Sequence, residues 1–567
     1  MERRFGGGGD VRRVVGFVDL LILLVFAFMV LVILTGGIAR DSGALTFSAT
    51  STRNPGRALV LLLLLRKCVA PSRPWAEVRL FRMLLGLVDR LRGAPPVMLR
   101  ALPLAGAAAY AVIMSVVTIR KHEAFQSHGH DLGIFDQVMW RTVHGDVLGT
   151  SMLVSPHFFG EHVSPILLLV APLYALVPDP RTLLWLQCVA LASGAIAVHW
   201  IATRVLRDEA AAALVSLAYL AYQPMRNANL FDFHPIVLAT PLLLFAFHHL
   251  ESRQWGRFGL FLALAMACQE EIAILVAALG IYVGWVHGRR KTAVALVTLG
   301  AVILALDLWV VVPHFRNGPF SFTYRYGYLG DSIPEIVASL VTRPLLVLRH
   351  TLIPAKLDYL VDVFGPVAFL PFAAPAQLLL AAPTFFQNVL SDYAQQYSIR
   401  FQYTSPLTPF VFGAAIHGFR RLGARPERVG ILLALLIVSA AVFFGESPAR
   451  QLRQFAPTPH HARLGAILNG IPAAASVSAQ DVLVPHLSRR ARIHEYPALN
   501  DAEVVVLDAS SSTYPLTREA YRRSVRDLLA AGDYGVRVWS DSVLVLQRGH
   551  PRSQNAGVLE SWTGRPR

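Results

Sequence analysis

The stretch "HGHDLGIFDQVMW", residues 128–140, places two histidines and two aspartates directly after an apolar run. A carboxylate in such a place has two chemical uses: it takes a proton from an attacking hydroxyl, or it binds a cation. Asp131 and Asp136 are therefore the candidate catalytic residues. Leu132, Phe135 and Met139 recur at i, i+3 and i+7, so a short helix begins here and an N-capping role for Asp131 stays open. At about 100° per residue the two carboxylates stand roughly 140° apart around that helix, too far for a tight pair. One of them is then catalytic or ligating and the other structural. Asp131, at the junction with the preceding segment, is the one expected to face a cavity.

Other clusters of the same kind follow. "HFFGEHVSP" carries His157, Glu161 and His162; imidazoles with a carboxylate suit a divalent metal ion, and satisfied loop histidines are the plain alternative. "FDFHP" carries Asp232 and His234 as candidate substrate-binding groups, with a helix cap as the alternative for the aspartate. Glu270 and Glu271 in "QEE" exceed what capping needs. Arg325, among the tyrosines of "YRYGYLGD", has the planar guanidinium that binds phosphate or stacks on a sugar, unless it only reaches lipid headgroups. Arg400 and Tyr403 repeat that pattern. There is no G-x-G-x-x-G and no P-loop, so no nucleotide cofactor is expected.

These groups need a membrane-embedded scaffold to position them. The chain has 567 residues, 54% hydrophobic and 16% charged, with a mean hydropathy of +0.49, outside the range of soluble globular proteins. A hydrocarbon core takes roughly 20 apolar residues per helix, and "VVGFVDLLILLVFAFMVLVIL" from Val14 supplies them with Asp19 as its one charge. That apolar run is too long for a cleaved signal peptide and has no small-residue cleavage site, so it reads as an anchor. The net charge of +16 comes from arginines in short stretches between apolar segments, the mark of cytoplasmic loops and not of a nucleic-acid surface. Cys68, Cys188 and Cys268 are scattered, form no C-x-x-C pair and read as packing residues.

With the basic loops assigned to the cytoplasm, the N-terminus with Arg3, Arg4, Arg12 and Arg13 is inside and "ALTFSATS" forms a small outer hairpin. "ALVLLLLLRKCVA" then returns inward or lies in the interface, because 66–100 is cytoplasmic. "ALPLAGAAAYAVIMSVVTI" delivers residues 128–140 to the outer face. In "FGLFLALAMACQEEIAILVAALGIYVGWVHGRRK" a single helix would bury adjacent glutamates at roughly 2.5–3.5 kcal/mol each, so two half-length helices meeting at the glutamates are expected. Two further crossings are expected over 357–372 and 373–390. About 13 crossings result. They gather the clusters named above into one polar cavity that opens away from the cytosol. Beyond residue 445 the chain is extracytoplasmic: "AEVVVLD" reads as a strand, "REAYRRSVRDLLAAGDYG" as a helix with a glycine stop and "VRVWSDSVLVLQR" as a hairpin. This small α/β domain covers the cavity or binds an acceptor.

"HDLGIFDQVMW", "SPHFFGEHVSPILLLVAPLYALVPDP", "FDFHP", the "QEE" hairpin, "NVLSDYAQQYSIRFQYTSPLTPF", "ASVSAQDVLVPHLSRR" and "AEVVVLD" together resemble a family of uncharacterised bacterial predicted membrane proteins, grouped as a domain of unknown function within the GT-C glycosyltransferase superfamily. The resemblance runs from Leu102 to Arg548. It implies a GT-C-like polytopic α-helical membrane protein with a large outer loop at 120–180, Asp131 in the place of the catalytic acidic residue, and a juxtamembrane helix in "SPILLLVAPLYALVP" broken by Pro178 and Pro180. Many GT-C enzymes have adjacent acidic residues, whereas this chain separates Asp131 from Asp136. The implied activity is transfer of a sugar from a polyprenyl-phosphate-linked donor to a cell-envelope glycan, lipid or protein acceptor on the extracytoplasmic face, with Asp131 as general base. The leaving phosphate would meet Arg325, Arg400 or a metal held by His157 and His162. The alternative is a non-enzymatic membrane protein that binds or transports a lipid-linked saccharide.

The expected organisation is a disordered cytoplasmic N-terminus at 1–13, then an anchor helix, hairpin and basic segment at 14–100. A GT-C-like transmembrane domain follows at 101–446, an extracytoplasmic α/β domain at 447–548 and a disordered tail at 549–567.

Overall fold

The structure, a computed structural model, describes residues 8–41 and 46–563; the first seven residues of the expected disordered N-terminus and the last four of the tail lie outside the described residues. Helix Gly8–Thr35 is apolar on nearly every side, and its Asp19 meets Arg66 of the returning helix Arg53–Val69. The Nε–Oδ1 distance is 2.8 Å and both side chains are buried. Each charge alone is costly in lipid, and each removes the other's cost by pairing. That pairing accounts for an arginine inside so short an apolar helix. Strands β1 (Ile38–Asp41) and β2 (Thr46–Ala49) pair antiparallel between the two helices. Helix Arg79–Arg92 then buries Leu80, Phe81, Leu84 and Val88 on one face and turns its arginines out from the other, the pattern of an amphipathic surface helix.

Among the described residues four helices are long and apolar enough to cross a membrane: Val11–Thr35, Pro96–Glu123, Pro180–Leu206 and Arg290–Arg316. Shorter apolar helices, among them Pro235–Glu251, Trp255–Met266 and Ile272–His287, fill the bundle between them. The last two are the expected half-length pair. Their open ends lie side by side, with the Arg289 guanidinium 4.4 Å from the Trp255 ring, so Gln269, Glu270 and Glu271 sit at the turn.

The two crossings expected over 357–372 and 373–390 are built from short helical pieces and not from single helices. Helices Pro354–Phe364, Pro375–Leu378 and Ala382–Leu390 alternate with short 3-10 turns. Pro366, Pro371, Pro375 and Pro383 interrupt the helical hydrogen bonding, and Ala368 and Phe369 both take φ of 55°. The segment still reaches from end to end of the bundle: Ala373 O accepts from Arg421 at one end, and Gln387 donates to Glu271 at the other. Irregular backbone is tolerated there because Leu370, Pro371, Ala374 and Ala381 are buried in protein and not exposed to lipid. Gly418 permits the approach, since a Cβ on it would lie 2.0 Å from Leu370 O.

Contacts between distant segments sort the charges by end. Arg92 pairs with Asp208 at 2.9 Å and Arg100 with Glu209 at 3.1 Å, while Arg420 donates to Val205 O at 3.1 Å. The arginine-rich loops thus meet at one end, and Asp131, His162, Asp232, His234, Glu270 and Glu271 stand at the other. Arg100 and Lys121 share helix Pro96–Glu123 and are ~30 Å apart along it.

The C-terminal domain holds β3 (Val477–Ala479), β4 (Ile493–Glu495), β5 (Val504–Asp508), β6 (Tyr534–Ser540) and β7 (Val543–Arg548) in the order β4-β3-β5-β7-β6. β3 runs parallel to β4 and β5, and β7 antiparallel to β5 and β6. Helix Arg518–Ala531 stops at Gly532, whose φ is +85°, the left-handed cap that glycine supplies most cheaply. The region expected as a disordered tail contains helix Asn555–Thr563. Val558 and Trp562 are buried there, and the Asn555 side chain bonds Val536 N–H, Tyr534 O and Leu529 O. Two apolar residues one helical turn apart anchor an otherwise polar segment.

Candidate functional site

Residues Gly129–Gly133 form a single π-type turn ahead of helix Ile134–Val143, a local widening that re-aims side chains. Asp131 Oδ1 shares a 2.9 Å hydrogen bond with His234 Nε2. The carboxylate caps no helix, which answers the capping alternative. His234 is fixed in turn, since its backbone N–H donates to Gln187 Oε1 at 2.9 Å just before helix Pro235–Glu251. Asp232, buried, accepts from Lys121 Nζ at 2.8 Å and from the His128 N–H at 2.9 Å. From the C-terminal domain, Asp481 accepts from the Gly129 N–H at 2.6 Å and faces His128 Nδ1 at 2.8 Å. Val484 closes on the same turn, leaving 3.0 Å for a Cβ at Gly129 and 2.8 Å at Gly133. The motif is therefore clamped between the bundle and the C-terminal domain.

Electrostatics follow from those contacts. Burial raises the Asp131 carboxyl, but the His234 bond and the charges of His128 and Lys121 outweigh it and hold the group below the ordinary carboxylate value. Burial lowers the His128 imidazole, and Asp481 with Asp232 reverses this, leaving it above the ordinary value. Asp131 is accordingly ionised over a wide pH range, the state required of a base.

Beside His234 lies a cavity of about 320 Å³, lined also by His162, Gln269, Glu270, Glu271, Arg325 and Tyr403. Glu270 accepts from the Val163 N–H at 3.0 Å and faces His162 Nδ1 at 2.8 Å. His162 loses proton affinity through burial and regains more from Glu270, ending above its ordinary value. Glu271 accepts from Gln387 at 3.2 Å. The Arg325 guanidinium rests 4.4 Å from the Phe322 ring, 4.9 Å from Tyr393 and 5.6 Å from Tyr403. Aromatic faces hold a cation without neutralising it, and among the described residues no carboxylate forms an ion pair with Arg325. The remaining wall is apolar, with Ile274, Leu304, Leu308 and Ile336. Leu304 and Leu308 belong to the Arg290–Arg316 span.

Several expected site residues stand elsewhere. Asp136, expected as a second catalytic carboxylate, is fully buried and accepts from the hydroxyls of Tyr174 and Ser488, each at 2.6 Å. Rotation around the helix turns it toward helix Ile166–Leu176 and the C-terminal domain, and it serves their packing. Burial pushes its carboxyl up to about 6 against those two hydroxyl bonds. His157 stacks on Phe315 at 4.0 Å and its Nδ1 accepts from the Phe159 N–H at 3.1 Å, whereas His162 stacks on Phe322 at 4.8 Å. Among the described residues no three His, Cys, Asp or Glu side chains form a group that could hold a metal ion, so the expected divalent site at His157 and His162 does not fit the donors present. Arg400 is exposed and does not line the cavity, while Tyr403 does.

Four residues that position the site were not foreseen: Lys121, Gln187, Gln387 and Asp481. Lys121 carries a readable signal, being a basic residue at the end of a span opposite its arginine-rich end. Gln187 carries one too, as the sole amide side chain in helix Pro180–Leu206.

The family of predicted membrane proteins designated DUF2079 matches residues 121–545. The chain belongs to this family. The matched region begins at Lys121 and takes in the clamped turn, the cavity and nearly all of the C-terminal domain. No curated protein matches the chain. Similar solved structures include ArnT from Cupriavidus metallidurans bound to undecaprenyl phosphate, at 13% identity and a TM-score of 0.48, covering 78% of this chain and 97% of that one. The same protein in the apo state gives 13% identity and a TM-score of 0.48 over 82% of this chain and 99% of that one.

Proposed function

We propose that this DUF2079 membrane protein is a GT-C-type glycosyltransferase that moves a sugar from a polyprenyl-phosphate-linked donor to a hydroxyl of a cell-envelope glycan, lipid or protein acceptor. The observation that carries the proposal is the make-up of the cavity of about 320 Å³. On one wall stands His234, hydrogen-bonded at 2.9 Å to the ionised Asp131 that lies behind the lining; another wall offers an arginine without an acidic partner, and a third the apolar side chains of a membrane span. Those are the three things a lipid-phosphate sugar donor needs.

In the reaction the acceptor oxygen bonds to the anomeric carbon as the carbon–oxygen bond to phosphate breaks. Asp131 takes the acceptor proton, a role worth about 10² to 10⁴ in rate. The departing polyprenyl phosphate carries off the bonding pair, and its charge falls to Arg325 in a site of low dielectric. Its chain lies along Leu304 and Leu308. His162, held by Glu270, and Glu271 are the groups for sugar hydroxyls. The arginine-rich end of the bundle is cytoplasmic by its charge, which puts the cavity and the C-terminal domain outside, with about 13 passages of the chain through the membrane.

The test is purified protein in lipid nanodiscs with radiolabelled polyprenyl-phosphate sugars and membrane acceptors. Transfer that is lost in Asp131→Asn supports the enzyme. Donor binding without turnover supports a carrier or binding protein instead. Orientation is checked by an impermeant maleimide on Arg522→Cys, an exposed position of the C-terminal domain; labelling from the cytoplasmic side alone overturns the assignment.

A further inference from the structure

The opposite end of the bundle holds a second and larger cavity, of about 760 Å³, within the range of sites that hold drug-sized ligands. It lies between helices Pro96–Glu123, Pro180–Leu206 and Pro235–Glu251. Its distance from the first cavity is set by helix length: His234 precedes helix Pro235–Glu251 and His248 lies in its last turn, ~20 Å further on. Nothing in the transfer reaction above uses this cavity.

Its lining has two characters. Arg100, Arg204 and Arg257 give one side a basic surface, with His199, His248 and His249 between them, and Pro103, Leu104, Ile196 and Trp200 give the other an apolar one. Glu209 is the only acid among the lining residues, and it is already committed to Arg100 at 3.1 Å, with His199 at 3.7 Å. Arg257 donates to the neutral Gln254 at 3.2 Å, and Arg204 makes no ion pair among the described residues. His248 Nδ1 is buried with no hydrogen-bond partner among them. Leu104 and Trp200 are 54% and 43% exposed on helices that span the membrane by length and composition, so the cavity's mouth faces lipid. A tryptophan at that level is typical of the membrane–water interface.

Uncompensated guanidinium groups beside an apolar wall recognise a phosphate attached to a hydrocarbon chain. We propose that this cavity is a binding site for the phosphate headgroup of an anionic phospholipid, held by Arg204 and Arg257, with an acyl chain against Leu104, Ile196 and Trp200. A free phosphate ion shares the headgroup chemistry but leaves the apolar wall without a partner.

Photo-crosslinking separates the two sources. The full chain is reconstituted in nanodiscs with a diazirine-bearing phosphatidylglycerol or its phosphatidylcholine counterpart, and cross-linked peptides are located by mass spectrometry. Phosphatidylglycerol is expected to label the peptides of Leu104 and Trp200 more strongly than phosphatidylcholine. Labelling should drop about fivefold for each of Arg204→Gln and Arg257→Gln and return in Arg204→Lys, which keeps the charge. Both arginines contact solvent at the bundle's end, and an unchanged melting temperature verifies that the variants fold. Equal labelling by the two lipids, or labelling indifferent to both substitutions, overturns the proposal. So does inorganic phosphate at millimolar concentration if it abolishes the labelling, because the ligand is then the free ion. None of these outcomes depends on whether the protein transfers sugar.

Discussion

At the cavity end of the bundle Asp232 is held by Lys121 and the His128 N–H, and Asp131 by His234, all from segments more than 100 residues apart in sequence. At the arginine end Arg204 meets no carboxylate among the described residues, and Arg257, in the first turn of helix Trp255–Met266, leans on the amide of Gln254 just before that helix. Both ends are rich in charge, and the arginine end pairs Arg92 with Asp208 and Arg100 with Glu209, but those pairs are part-exposed and leave other arginines unpaired, whereas the cavity end knits its charges into a buried network. The difference follows from what each end must do. Arginines that fix topology need only remain in the headgroup region, where they are solvated. Carboxylates that must stay ionised inside protein need partners from several elements, since an unpaired buried charge costs several kcal/mol.

Substitutions can break this contrast at decreasing cost. Asp131→Asn should lower sugar transfer by about 10² to 10⁴, while Arg204→Gln leaves turnover near the native rate, as read by initial rates in nanodiscs. Lys121→Met strands the Asp232 carboxylate and should cost about 3–5 kcal/mol of stability. The same change at Arg257 should stay within about 0.5 kcal/mol, and melting temperatures compare the two. Arg325→Gln should raise the donor KM about tenfold with little loss of folded protein, and Arg325→Lys should recover part of the affinity but not the stacking.

Two smaller effects lie in pH. Asp136 titrates at about 6 in the folded chain against an ordinary 3.8, so the folded state keeps its proton longer than the unfolded state does. Stability conferred at low pH should therefore fall as pH rises across that interval, and Asp136→Asn should remove the slope from unfolding curves. His128 is raised by Asp481. Its contribution is full below the ordinary 6.5 and is lost as pH climbs through the higher folded value. Hydrogen exchange at 477–495 should then quicken with pH more in the native chain than in His128→Gln.

Much of this could be read from residue order alone. The glutamate turn was legible because two adjacent acids in an apolar stretch admit few burial schemes, and β5, β6, β7 and helix Arg518–Ala531 were legible because alternation and a glycine stop are local signals. The partner of Asp131 was harder. His234 was singled out, but only tertiary packing could join the two. Asp481 escaped because nothing near it in sequence marks an aspartate that reaches 352 residues back to Gly129. The broken passage at 365–381 was visible as prolines, yet what makes it tolerable, burial against Gly418 and its neighbours, is not a local property.

The bond between Asp19 and Arg66 also has a history within each molecule. Asp19 leaves the ribosome 47 residues before its partner, a delay of roughly 2–9 s at ordinary elongation rates. For that interval the first helix carries an unpaired anion, a cost of roughly 2.5–3.5 kcal/mol near the helix centre, which pairing with the second helix then offsets. A chain with Arg66→Leu should lag at the translocation machinery in pulse–chase integration assays, whereas one with Asp19→Leu and Arg66→Leu together should enter without pause.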